Sequence, residues 1–291
     1  MNHKIRAGFL GLGAMGEPMA HHLFNAGFLR HVFNRNTSRS DDFAKQHPET
    51  QVAASPADLA RAVDVVFVCV SADQDVLNVI DSMLPALSKG QIVIDCSTVS
   101  RETAIEAGKK LSEVGVMFFD APVTGGVEGA RNATLSIMVG GEATLLPQIT
   151  PLLNAISSRH IHMGAVGSGQ AAKAVNQVMC AGINEAVTEA LAFGEELGLD
   201  IDRVIDVIRG GAAGNWFLDK RGSTMTKGSF SPGFKVSLHR KDLRICLEMG
   251  REIGHDLPLT KSTLLHYDKL IADGHGDEDI SSLYRIKRPK S

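Results

Sequence analysis

From the N-terminus to about residue 165, short β-branched apolar runs alternate with longer stretches whose apolar positions recur at helical spacing. That alternation predicts βαβ units wound into a parallel sheet. Residues 4–11 (KIRAGFLG) read as a strand, residues 14–27 as a helix stopped at Gly27, and residues 30–34 as the next strand. DVVFVCV (residues 64–70) and GQIVIDCS (residues 90–97) are unbroken apolar runs, as expected of strands buried on both faces. Helices over residues 74–87 and 102–114 separate these runs from one another and from VMFFDAPV at residues 116–123. A glycine-rich loop over residues 124–133, a strand LSIMVGG, a helix over residues 144–156 and a short strand RHIHMG complete the region. From Gly167 onward only helical spacing remains, which places a domain boundary between residues 164 and 165. Residues 171–197 carry no proline and predict a helix of about 26 residues, roughly 39 Å long. Its apolar residues cover more than one face, so it is expected to be buried between other elements or in a homo-oligomer interface, dimer or tetramer.

Composition narrows the class without changing this outline. A chain of 291 residues with 44% hydrophobic and 22% charged residues is an ordinary packed protein of one large or two smaller domains. A net charge of −3 gives no reason to expect nucleic acid or an anionic membrane as partner. No run reaches membrane-span length and no signal peptide is recognisable, so a cytoplasmic protein is expected. Cys69, Cys96, Cys180 and Cys246 lie far apart in apolar runs and read as buried free thiols. The histidine pairs lack a third convergent ligand, so no metal is expected.

The candidate chemistry begins at GLGAMG, where Gly11, Gly13 and Gly16 frame Leu12, Ala14 and Met15 in the G-x-G-x-x-G spacing. A strand precedes the motif and a helix follows it, the context in which such a loop cradles a dinucleotide pyrophosphate. The fold class expected is therefore α/β, a Rossmann-type doubly wound parallel sheet (residues 1–164) followed by an all-helical domain (residues 165–291). The tip of the second strand reads FNRNTSR, with Asn34, Arg35 and Thr37 and no acid until Asp41. A site for NAD places a carboxylate there for the ribose hydroxyls, whereas a guanidinium grips a ribose phosphate. NADP(H) is thus expected over NAD(H).

Three further stretches carry reactive groups. DAPVTGG ends in a turn whose Thr124 hydroxyl and Gly125 and Gly126 N–H groups suit a small carboxylate. GSGQAAKAVNQ opens the long helix and puts Lys173, Asn176 and Gln177 on one face. A lysine near the N-terminal end of an apolar helix is expected to have a lowered pKa, which suits a proton donor near neutral pH, although a lone helical lysine is more often a surface cation. HRKDLRICLEMG places Lys241 beside Asp242 on another helix. Trp216 reads as core or interface rather than as a pocket wall. The tail RIKRPKS reads as a solvated charge run.

In this order GLGAMG, DAPVTGG, GSGQAAKAVNQ and RKDL resemble the β-hydroxyacid dehydrogenase family over residues 4–284. The resemblance implies Lys173 as catalytic acid/base and Asn176, with Gln177 beside it, as substrate-positioning. It further implies Thr124, Gly125 and Gly126 for the substrate carboxylate, Val70, Ser71 and Thr98 for the cofactor, and Lys241 for the cofactor or substrate edge. Two positions depart from the family pattern: Gln177 stands where a second Asn is usual, and Thr124 where Ser is usual. The activity implied is NADPH-dependent reduction of a small carboxylate-bearing aldehyde, reversible as a hydroxyacid dehydrogenation. An imine reductase of the same fold and a non-catalytic NADP-binding module are the alternatives.

Overall fold

The computed structural model describes residues 5–288. Lys4 of the first predicted strand and residues 289–291 of the basic tail lie outside the described residues. The chain divides into two compact units, one up to Lys173 and one from Ala174.

The first unit holds strands β1 (Ala7–Leu10), β2 (Leu29–Phe33), β3 (Gln51–Val52), β4 (Val65–Val68), β5 (Ile92–Asp95), β6 (Met117–Asp120), β7 (Val123–Thr124), β8 (Leu135–Gly140) and β9 (Ser157–Gly164). Its helices are α1 (Gly16–Asn25), α2 (Thr37–Gln46), α3 (Pro56–Ala62), α4 (Asp73–Met83), α5 (Arg101–Glu113), α6 (Gly126–Arg131) and α7 (Leu146–Ile156), and α8 (Ser168–Glu196) starts within it. The strand order is β3-β2-β1-β4-β5-β6-β8-β7, with β9 on β8. All neighbours from β3 to β6 are parallel. The order reverses between β1 and β4, and such a switch point opens a crevice at the strand C-termini.

The continuous apolar runs follow from burial on both faces. Phe9, Phe67 and Ile94 point into one apolar cluster, while Leu10, Val66 and Val93 point into another. Phe9 and Phe67 stack with ring centroids 5.7 Å apart.

Three features differ from the sequence expectation. Residues 124–133 are not all loop, because Gly126–Arg131 forms α6. Strand β9 has 8 residues rather than the predicted six, its N-terminal end drawn into pairing with Leu135 of β8. Helices α2 and α3 had no place in the hydrophobic pattern. Only Ser40 and Phe43 of α2 are buried, and local capping marks both helices: Asn36 accepts from the Ser38 N–H, and Ser55 from the Asp58 N–H.

The second unit is helical apart from one isolated bridge between Lys235 and Asp279. It contains the rest of α8, then α9 (Ile201–Ile208), α10 (Trp216–Thr226), α11 (Val236–Glu252), α12 (Pro258–Ala272) and α13 (Tyr284–Lys287). Phe217, Met225, Leu243, Tyr267 and Tyr284 form its core. Helix α8 runs for 29 residues, and Val175, Met179 and Phe193 lie exposed along one side of it. Among the described residues no helix is long and apolar enough to cross a membrane.

Candidate active site

The glycine loop joins β1 to α1, and its three glycines are required for different reasons. Gly11 has φ +99°, and a Cβ there would lie 2.1 Å from the Cys69 carbonyl oxygen. A Cβ on Gly16 would lie 1.8 Å from the Gly11 carbonyl oxygen. Both are demanded by the protein's own packing. A Cβ on Gly13 would meet nothing within 4 Å, so packing does not demand that glycine, and open space at this position is what close approach of a dinucleotide needs. At the start of α1, Met15 provides no side-chain cap, the Glu17 N–H is taken by the Gly13 carbonyl at 3.0 Å and Pro18 has no N–H, so the N–H groups an anion could use come from the loop itself and Gly16. The loop residues thus fit a dinucleotide.

The loop is held from β2 and α2. Asn34 accepts from the Leu12 N–H at 2.9 Å and donates to the Asn36 carbonyl at 2.9 Å. Arg39 donates to the Leu12 carbonyl at 2.8 Å. Arg39 escaped the sequence reading; its only signal was a second arginine one helical turn beyond Arg35. The Arg35 side chain is 91% exposed and touches Asp75 at 3.3 Å, while Thr37 is exposed at the first turn of α2. Val70 and Ser71 follow β4 and Thr98 follows β5, with the Val70 N–H on the Ser97 hydroxyl at 2.9 Å. The predicted cofactor residues of the first unit therefore gather at the C-terminal ends of β1, β2, β4 and β5.

Lys173 is the last residue of the first unit, 8% exposed, and its ammonium donates to the Val123 carbonyl at 2.9 Å. Immediately after Val123 come Thr124 and the turn at Gly125 (φ +128°) and Gly126 (φ +63°), a backbone that L side chains rarely adopt. The structure thus brings the lysine to the foot of the predicted carboxylate turn. Two residues not singled out from sequence hold the helix start: Asp120, fully buried, and Gln170, which donates to the Ser97 carbonyl at 2.8 Å and accepts from the Val99 N–H at 3.2 Å. Asp120 was visible only as an acid closing an apolar strand.

In the second unit Asn176 donates to the Gln177 carboxamide oxygen at 2.7 Å, and Gln177 donates to Asp242 at 2.6 Å. Lys241 lies 3.0 Å from the other Asp242 oxygen. A ring nitrogen of the fully buried His239 lies 3.3 Å from the Gln177 carbonyl, and the other lies 3.0 Å from the Tyr267 hydroxyl. Burial pushes that phenol well above its ordinary pKa. Gln177 is buried and both ends of its carboxamide are engaged, so it stands behind Asn176 as a support. Trp216 is not core within this chain: it is 54% exposed, with the Arg221 guanidinium 5.3 Å from its ring centre.

Residues 6–164 match the family described as the NAD binding domain of 6-phosphogluconate dehydrogenase. Residues 167–287 match the family described as NAD-binding of NADP-dependent 3-hydroxyisobutyrate dehydrogenase. The chain is similar to 2-hydroxy-3-oxopropionate reductase of Escherichia coli, 33% identical over 96% of each chain. It is also similar to NAD-dependent L-serine dehydrogenase of Pseudomonas aeruginosa, 31% identical over 97% of each chain. Among solved structures, Mycobacterium tuberculosis 3-hydroxyisobutyrate dehydrogenase with L-serine aligns at a TM-score of 0.89 and 32% identity, covering 99% of this chain and 100% of that one.

Proposed function

The chain belongs to the 3-hydroxyisobutyrate dehydrogenase family of NAD(P)-dependent β-hydroxyacid dehydrogenases, and on that premise we propose that it reduces a small carboxylate-bearing aldehyde with NADPH, reversibly. The observation that carries this reading is the buried Lys173 ammonium, held on the Val123 carbonyl directly before the Thr124–Gly126 turn. The glycine loop would hold the dinucleotide, which would supply hydride chemistry there. Lys173 donates the proton to the substrate's carbonyl oxygen and takes it back in the oxidative direction. Asn176, one turn along the same helix face, orients that oxygen, and Gln177 and Asp242 hold Asn176. The Thr124 hydroxyl and the N–H groups of Gly125 and Gly126 receive the substrate carboxylate.

Turnover across succinic semialdehyde, glyoxylate, tartronate semialdehyde and methylmalonate semialdehyde with NADPH tests the function. Reduction of at least one is expected. A folded, NADPH-binding protein that turns over none of them points to a non-catalytic module.

The reading includes a preference for NADP(H). No carboxylate stands at residues 34–40, and the exposed Arg35 guanidinium pairs with Asp75 at 3.3 Å. An exposed pair of this kind is worth about 0–1 kcal/mol, so Arg35 is free to exchange Asp75 for a ribose phosphate. Arg35→Asp is expected to shift the ratio of kcat/KM for NADPH over NADH by about 10- to 100-fold toward NADH. A wild-type preference for NADH would sink this assignment. The exposed stripe of Val175, Met179 and Phe193 supports a homo-oligomer; a monomeric mass by light scattering would end that reading.

A further inference from the structure

Asp120 closes β6 with its side chain fully buried, and both carboxylate oxygens grip the first turn of α8. Oδ1 accepts from the Gly167 N–H at 2.7 Å, and Oδ2 accepts from the Gln170 N–H at 2.8 Å. The helix start sits so tightly on the strand ends that two glycines are needed to admit it. A Cβ on Gly140 would lie 2.3 Å from Asp120 Oδ1, and one on Gly169 would lie 2.5 Å from the backbone oxygens of both Asp120 and Met138.

Three residues along the helix from Gln170 stands Lys173, and three residues along the chain from Asp120 stands Val123. These are the two partners of the 2.9 Å ammonium–carbonyl bond. The short connection from the end of β6 to the start of β7 thus carries both the anchor of the helix and the docking point of the lysine. A cap alone would not call for a buried carboxylate, since Ser, Thr or Asn caps a helix at a smaller desolvation penalty.

We propose that Asp120 is the positioning residue for Lys173: its ionised carboxylate, by gripping the Gly167 and Gln170 N–H groups, sets the register at which the lysine ammonium meets the Val123 carbonyl. This rests on Lys173 being the proton donor. Burial pushes the Asp120 carboxyl up to about 6, against the pull of the N–H groups that favour its charged form. The groups facing it are few. Asp95 is its register partner on β5, the Arg101 side chain of α5 packs near Gly167, β8 presents Gly140 there, and the next charge along α8 is Lys173. As pH falls through about 6, the carboxyl takes a proton and one of its two oxygens presents an O–H to an N–H donor, so one of the two contacts that set the helix start is weakened. In the reductive direction Lys173 acts as the acid, so low pH does not deprive it of its proton, and disappearance of the acid limb in Asp120→Asn is what assigns the limb to Asp120.

The test is kcat for aldehyde reduction at saturating NADPH and aldehyde from pH 5 to 8, for wild type, Asp120→Asn and Lys173→Ala, with NADPH affinity by fluorescence titration. Wild type is expected to lose kcat on the acid side with a midpoint near 6, as the Asp120 carboxyl does. Asp120→Asn is expected to lower kcat about 10- to 100-fold and to abolish that acid limb, with NADPH affinity within about 2-fold of wild type. Wild-type kcat in Asp120→Asn overturns the proposal, as does a parallel loss of NADPH affinity, which would mark general damage. If Asp120→Asn does not fold, wild type decides: kcat flat from pH 5 to 7.5 overturns the proposal, and an acid limb with unchanged circular dichroism and NADPH affinity upholds it. Undiminished kcat in Lys173→Ala removes the proton-donor reading and Asp120's role with it. Loss in Lys173→Ala with a wild-type Asp120→Asn removes only the latter.

Discussion

Lys173→Ala is expected to lower kcat by about 10²- to 10⁴-fold, the range supplied by a positioned general acid, while NADPH affinity stays within a few-fold of wild type. The ammonium is held on the Val123 carbonyl at 2.9 Å with the side chain 8% exposed, so bulk water has little access to replace it. The residues proposed for the cofactor in the first unit sit on other strand ends, at Gly11–Gly16, Val70–Ser71 and Thr98, and lose nothing directly when the lysine is truncated. Arginine is not expected to rescue, because its guanidinium stays protonated and cannot hand over a proton. Steady-state kcat with a titration of NADPH fluorescence checks both halves. A kcat within about 3-fold of wild type would remove Lys173 from the chemistry.

The second large effect separates two glycines of one loop. Gly16→Ala would force a Cβ to within 1.8 Å of the Gly11 carbonyl oxygen, a backbone atom with no freedom to swing aside. The expected loss is about 1–3 kcal/mol of stability, read as a lower Tm. Gly13 is not among the positive-φ glycines, and a Cβ there would meet nothing within 4 Å. Gly13→Ala is therefore expected to leave Tm unchanged or slightly raised, yet to weaken NADPH binding about 10- to 100-fold by placing a methyl where the pyrophosphate approaches. Thermal melts beside cofactor titrations test the pair. Unaltered NADPH affinity in Gly13→Ala would mean that the loop does not cradle the cofactor.

These expectations draw unequally on sequence and structure. Strands β4 and β5 were legible as unbroken apolar runs because both their faces are buried. Helices α2 and α3 were not, because the first buries only Ser40 and Phe43 and the second only Leu59 and Ala60, too little for a period to show. Lys173, Asn176 and Gln177 could be placed on one helix face by spacing alone. That Gln177 turns to Asp242, 65 residues away, could not.

By itself the sequence determined the α/β region followed by helices, the glycine loop and the four ordered motifs that mark the family, because period, turn chemistry and short-range spacing are local properties of the chain. Only the tertiary structure decided the strand order that gathers Gly13, Arg35, Val70 and Thr98 at one end of the sheet. It alone showed that a Cβ on Gly16 would strike the Gly11 carbonyl while one on Gly13 would meet nothing within 4 Å. It alone turned Asp120 from the last residue of an apolar strand into the anchor of the helix start. The strand order and the Asp120 grip depend on contacts between residues tens of positions apart, and the Gly16 contact on the path the loop takes in the fold; no local pattern encodes which backbone a buried group will meet.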